Sequence, residues 1–184
     1  VDMAGSAAQP KAVAHETVEQ RQAKGQRQRE TVPLSWHSQL ELAPDRDPIG
    51  LLASQAASRV QELVPIRYGR MLESPFAFYR GAALPMAADL SLTPTTHLLE
   101  TQLCGDAHLS NFGAFGAPDR RLVFDVNDFD ETHPGPFEWD VKRLAASVEI
   151  AGRVNGYKAR KRREAVLATV ESYRTHMRRL AKRD

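Results

Sequence analysis

Cysteine is almost missing from this chain. Cys104 is the only one in 184 residues, which excludes an internal disulfide framework and any cysteine-cluster zinc site. Long apolar runs are missing too, and none approaches the roughly 20 residues that span a bilayer. The first residues lack the charged-then-apolar order of a secretory signal, so the expected compartment is the cytoplasm. What is present is ordinary: 42% hydrophobic and 26% charged residues, with 11 glycines and 11 prolines. That composition rules out collagen-like, low-complexity and wholly disordered chains. The length suits one domain of about 100–150 residues with extensions.

Charge is distributed unevenly behind a net +2. Residues 151–184 carry 11 Lys or Arg against 3 Asp or Glu, leaving the first 150 residues at −6. Within those, residues 100–140 hold nine acids and only two bases, Arg120 and Arg121. So local an acidic block is either a solvated surface or a place where a cation sits. The basic tail reads as the solvated face of an amphipathic helix in preference to a nucleic-acid surface, because only Tyr173 is interleaved for stacking.

Residues 1–32 read as a poorly ordered polar arm, able to form a transient helix but not a packed one, since 16–30 is almost entirely charged or amide-bearing and apolar residues are sparse. Residues 33–184 form the folded unit. Asp47-Pro48 and Ser74-Pro75 are cap-then-proline signals for helix starts. Ile49, Leu52, Ala56 and Val60 then predict a buried stripe. Pro65 breaks that run, with a short helix expected from Ile66 to Met71. Phe76, Tyr79, Ala83, Ala87 and Leu90 mark another apolar face, which Pro85 should kink or divide. The period then changes: His97 to Cys104 and Leu122 to Val126 fit strands. Beyond Gly135-Pro136, Phe137, Val141, Leu144, Ala145 and Val148 predict a helix ended by Asn155-Gly156. A last helix from about Ala159 to Ala181 carries Val166, Val170, Tyr173, Met177 and Leu180 on one stripe. The fold class is α+β, helical, with a small β-hairpin element carrying polar loops.

Those loops carry the chemistry. Gly105-Asp106-Ala107-His108-Leu109-Ser110-Asn111 follows the first strand, and Asn127-Asp128-Phe129-Asp130-Glu131 follows the second. If the two strands are neighbours, Asp106, Asn111 and Asp128 come together. Two carboxylates and an amide oxygen are hard ligands that suit Mg²⁺, with substrate phosphates completing its shell. One carboxylate could instead accept a proton from a hydroxyl nucleophile. Asp125 rivals Asp128 as the principal ligand, and Asp130 is an auxiliary ligand or an exposed acid. Arg67, Arg70 and Arg80 are read as partners of core carboxylates such as Asp89 or Asp140, with phosphate binding as the alternative. Cys104 reads as a small hydrophobe.

The motifs C-G-D-A-H-L-S-N and V-N-D-F-D resemble the catalytic core of protein-kinase-like phosphotransferases, especially the aminoglycoside and choline kinase branch. Asp140-Val141, twelve residues past Asp128, stands where that core has the acid of the following helix. The resemblance implies that Asp106 is the catalytic base, Asn111 a metal and phosphate ligand and Asp128 the principal metal ligand, with His108 supporting the loop. A wider resemblance, covering about residues 45–180, is to the amino-terminal half of a bacterial family called domain of unknown function 2252. It rests on ELVPIRYGRM, SPFAFYRGAA, MAADL, QLCGDAHLSNFG, RRLVFDVNDFDET and GPFEWDVKRLAAS.

No strand, glycine loop and strand unit with a phosphate-pairing lysine precedes Asp106. In the family the resembling segment lies after the catalytic loops. The expectation is therefore a catalytic-loop fragment that is inactive alone and prone to self-association. The full-length protein would use Mg²⁺ to move phosphate from ATP or another nucleotide to a hydroxyl or amine acceptor. The rival readings are a non-catalytic remnant or interaction module, and a metal-dependent phosphoesterase.

Overall fold

The computed structural model describes residues 16–95 and 99–182. The chain is α+β: seven helices and four short strands among the described residues, ordered α1 (Val18–Thr31), α2 (Pro48–Ala56), α3 (Val64–Met71), α4 (Pro75–Arg80), α5 (Ala83–Ser91), β1 (Glu100–Leu103), β2 (Phe112–Gly116), β3 (Leu122–Val126), β4 (His133–Pro136), α6 (Glu138–Val154) and α7 (Ala159–Leu180). Short 3₁₀ turns stand at Leu34–Ser38, Gln61–Leu63 and Leu109–Asn111. None of the described helices is long and apolar enough to cross a membrane.

Local signals place the helix starts. Asp47 caps α2 by accepting the Gly50 N–H, and Ser74 caps α4 by accepting that of Ala77, each with proline at the first helical position. Pro65 does not break a helix. It occupies the first turn of α3, where its missing N–H costs nothing. The division between α4 and α5 falls at Gly81-Ala82, so that Pro85 again lies in a first turn. Asn155 and Gly156 end α6, Gly156 with φ +71°.

Three expectations need correction. The stretch Val18–Thr31 is a helix, entered through a capping box in which Thr17 and Gln20 bond reciprocally, and Gln28 and Val32 are buried; the rest of the expected arm, residues 1–15, lies outside the described residues. The α2 stripe is not buried as a whole. Leu52 is covered, while Ile49 and Val60 are 66% and 60% exposed. The strands at 100–103 and 122–126 are not neighbours either. β1 pairs antiparallel with β4, and β2 with β3, as two separate two-stranded sheets. The proposed start of the first strand, His97-Leu98, lies outside the described residues.

Helix α6 organises the rest. It packs on α4, α5 and α7. Its deepest side chains are not the apolar set that periodicity selects but Glu138, Arg143 and Ser147. α7 runs along α6, with Phe137 and Tyr173 stacked 6.3 Å apart, and buries no residue fully.

Candidate functional site

The loop 105–111 is held from below by α6. Asp140 accepts the backbone N–H groups of Cys104 at 2.7 Å and Gly105 at 3.1 Å. Ser147, fully buried, accepts the N–H of Leu109 and donates to the Leu144 carbonyl. Arg143 donates through Nε and Nη2 to one oxygen of Asp106, at 2.7 Å from Nε. Asp140, Arg143 and Ser147 stand at helical spacing, so one face of α6 presents a polar stripe to a loop that needs donors and acceptors.

Arg143 is only 2% exposed, so its charge needs several partners. Besides Asp106 it donates to the Tyr79 carbonyl at 2.9 Å and lies over the Tyr79 ring, 4.5 Å from the centroid. The Tyr79 hydroxyl in turn donates to the Arg143 carbonyl at 2.7 Å. Burial pushes the Tyr79 phenol up to about 12, against the opposing effect of the Arg143 charge. The Asp106 carboxyl balances burial, which would raise it, against the His108 hydrogen bond and the Arg143 charge; the latter win and hold it below its usual value. Burial dominates at Asp140 and raises its carboxyl despite the two N–H donors. Burial also raises the Cys104 thiol, as befits a packed group and not a nucleophile.

His108 is buried, with Nε2 at 3.3 Å from the second Asp106 oxygen and its ring edge-on to Phe76. Its Nδ1 is buried without a hydrogen-bond partner among the described residues. Asn111 joins the two loops where the β2–β3 ladder, which pairs Phe112 with Val126, brings them side by side. Its Nδ2 donates to the Asp106 carbonyl at 3.1 Å and the Asp128 carbonyl at 3.4 Å, and approaches Cys104 Sγ at 3.8 Å. Gly105 makes a second closure. With φ +79°, it lies so close to the Glu131 carbonyl that a Cβ there would collide with it.

The structure thus brings Asp106, His108, Asn111 and the backbone of Asp128 together. Asp125 on β3 and Asp128 and Asp130 of the second loop are all exposed, while Glu131 is half-buried and meets Gln55 and Arg59. Asp128 spends one oxygen on the Asp130 N–H, at 3.2 Å, and Asp125 accepts from its neighbour Val126 at 2.8 Å. Among the described residues no group of three or more His, Cys, Asp or Glu is arranged to hold a metal ion. A hard divalent cation nonetheless fits the donors in kind. Asp128 keeps a second carboxylate oxygen, and the Asn111 nitrogen is committed to carbonyls, which fixes the amide with its oxygen uncommitted among the described residues.

The pairing expected for Arg67, Arg70 and Arg80 is not what forms. Asp89 is bound by Arg46 at 2.6 and 2.8 Å, Asp140 by backbone, and Arg67 donates to the Gly81 carbonyl at 2.8 Å. Sequence reasoning missed Arg143. The signal is Asp140, Arg143 and Ser147 at i, i+3 and i+7, a polar stripe that apolar periodicity does not select.

Residues 59–184 match the family described as uncharacterized protein conserved in bacteria (DUF2252). The chain belongs to this family. The match includes both loops, their closure through Asn111 and the α6 stripe beneath them. Comparison with curated proteins and with solved structures gives no match.

Proposed function

We propose that this DUF2252 chain carries the catalytic loops of a Mg²⁺-dependent, kinase-like phosphotransferase. The observation that carries the reading is the Asn111 amide, which holds the Asp106 loop to the Asp128 loop where the β2–β3 ladder brings their ends together. The capping of Cys104 and Gly105 by Asp140 supports it further. That acid stands where the kinase-like pattern has the acid of the following helix, and it fixes the backbone from which Asp106 projects.

In this reading Asp128 and the Asn111 amide oxygen hold the cation, with Asp130 as an auxiliary. Bound Mg²⁺ supplies charge neutralisation on the transferring phosphoryl group. Asp106 faces the acceptor. Arg143 occupies one of its oxygens, which leaves the oxygen beside His108 to orient an acceptor O–H or N–H and take its proton. His108 and Phe76 keep that carboxylate in place from the other side. Positioning is most of the work in this reaction class, so a loop fastened at Cys104, Gly105, Asp106, Leu109 and Asn111 suits it.

One observation favours a second reading. Both Asp106 oxygens already have partners, as in a structural pin, and a non-catalytic binding module would need nothing more. Thermal protection by Mn²⁺ separates the two. The phosphotransfer reading expects protection that is lost in Asp128→Asn and kept in Asp106→Asn. The absence of any protection, or protection that Asp128→Asn keeps, would overturn it in favour of the module.

A further inference from the structure

The β2–β3 hairpin is a two-stranded sheet whose strands pack chiefly on each other. Its register sets Leu122 opposite Gly116 and Phe124 opposite Ala114, so these four residues share one face. Their small partners leave the two large side chains bare. Leu122 is 79% exposed and Phe124 74%, and Phe129, just past the strand, is 60% exposed. A two-stranded sheet with an apolar face needs a cover to be stable in water. The carboxylates of Asp125, Asp128 and Asp130 lie along the same stretch, exposed and without an ion-pair partner among the described residues. The hairpin's own bases, Arg120 and Arg121, stand at its other end, in the turn, where Arg121 pairs with Asp119.

The end of α7 carries the opposite pattern. Phe137, which precedes α6, stacks on Tyr173, so residues 174–182 run past the start of α6, the helix on which α7 packs, and all are exposed. In the first half of α7 the bases are matched: Arg160 and Lys161 pair with Glu164, and Arg162 with Glu149. Residues 174–182 contain no acid, and Arg174, Arg178, Arg179 and Lys182 form no ion pair with a described residue. Met177 and Leu180, at i and i+3, stand on one face among them and are each 47% exposed.

Each surface has what the other lacks. The hairpin offers bare apolar side chains beside carboxylates, and the helix end offers bare apolar side chains beside guanidinium groups. Apolar burial supplies the affinity, while opposite charge selects the partner and its register. Like surfaces repel, since two hairpins would bring their acids together and two helix ends their bases. Two copies related by a two-fold axis cover both patches of both chains, because the contact is made twice and the assembly closes. We propose that the α7 end of one copy docks on the β2–β3 face of a second copy, and reciprocally, in a closed dimer. The dimer does not depend on the phosphotransfer reading, and it gives a surface to the self-association that the sequence leads one to expect.

The test is sedimentation velocity of the chain over a concentration series, without divalent metal and at low and high salt. A dimer is expected, weaker at high salt, where exposed charges are screened. Leu122→Ser/Phe124→Ser changes only exposed side chains and should weaken dimerisation about tenfold or more. So should Arg178→Glu/Arg179→Glu and Asp125→Lys/Asp130→Lys, each of which sets like charges across the contact. Mixed together, these two reversal variants are complementary again: reversed helix meets reversed hairpin, and unaltered helix meets unaltered hairpin. The mixture should therefore form a mixed dimer although each variant alone dimerises poorly. That recovery requires both variants to be folded, so a folding defect cannot imitate it. A wild-type chain that stays monomeric up to about 0.3 mM would overturn the proposal. So would dimerisation that Leu122→Ser/Phe124→Ser or either reversal leaves unchanged, or a mixture of the two reversals that stays monomeric.

Discussion

The loops 105–111 and 127–131 are built from the same kinds of residue, yet one is fastened and the other is open. In the first, Asp106, His108 and Asn111 are largely or fully buried, and α6 supplies Asp140, Arg143 and Ser147 to hold it. In the second, the Asp128 and Asp130 side chains face solvent, and the Asp128 carboxylate accepts only from the Asp130 N–H of its own turn among the described residues. The same acid is thus a structural anchor where a buried arginine meets it and an available ligand where none does. Composition alone does not separate the two; the face of α6 beneath the first loop does.

Removing the anchor should have the largest effect. Arg143→Met leaves Asp106 without its main partner in a mostly buried site and should cost about 3 kcal/mol of stability, read by urea unfolding. Loss of less than about 0.5 kcal/mol would mean that the first loop is not held as described. Asp140→Ala should follow at about 1–3 kcal/mol, because the Cys104 and Gly105 N–H groups lose their acceptor.

Acid should distinguish these two carboxylates by sign. Asp106 is held low despite burial, by His108 and Arg143, so its stabilisation is complete above the unfolded value near about 4 and is lost as pH falls through its lower folded value. Asp140 is raised by burial, so the folded state takes its proton first and gains stability as pH falls from that raised value toward about 4. Asp106→Asn should therefore flatten acid destabilisation and Asp140→Asn steepen it, in unfolding curves measured from pH 6 to pH 3. The same sign for both variants would contradict the assignment.

How much of this was legible in the sequence follows from how local each cause is. Asp47-Pro48, Ser74-Pro75 and Asn155-Gly156 act within a few residues, and they place helix ends where the structure has them. β3 was legible as well, because Leu122–Val126 has its strand character in its own side chains. The partners of strands were not. β2 (FGAFG) and β4 (HPGP) carry glycine and proline, and they are strands only through their pairing with β3 and β1. Asp106, Asn111 and Asp128 stand out in the sequence by type and spacing. Arg143 does not, because its role depends on a loop 37 residues away.

The open loop should yield the smallest change in stability. Asp128→Asn and Asp125→Asn remove exposed carboxylates and should each shift stability by less than about 0.5 kcal/mol. A loss of more than about 1 kcal/mol in Asp128→Asn would show that the second loop is also an anchor.

The central claim, that Asp128 meets the cation while Asp106 does not, is tested most directly with Mn²⁺, which shares the oxygen preference of Mg²⁺ and broadens nearby amide signals. Amides within 105–131 should broaden in the wild type, keep that broadening in Asp106→Asn and lose it in Asp128→Asn. Broadening that survives Asp128→Asn and vanishes in Asp106→Asn would contradict the division of the two loops, and loss only in Asp125→Asn would move the ligand to β3.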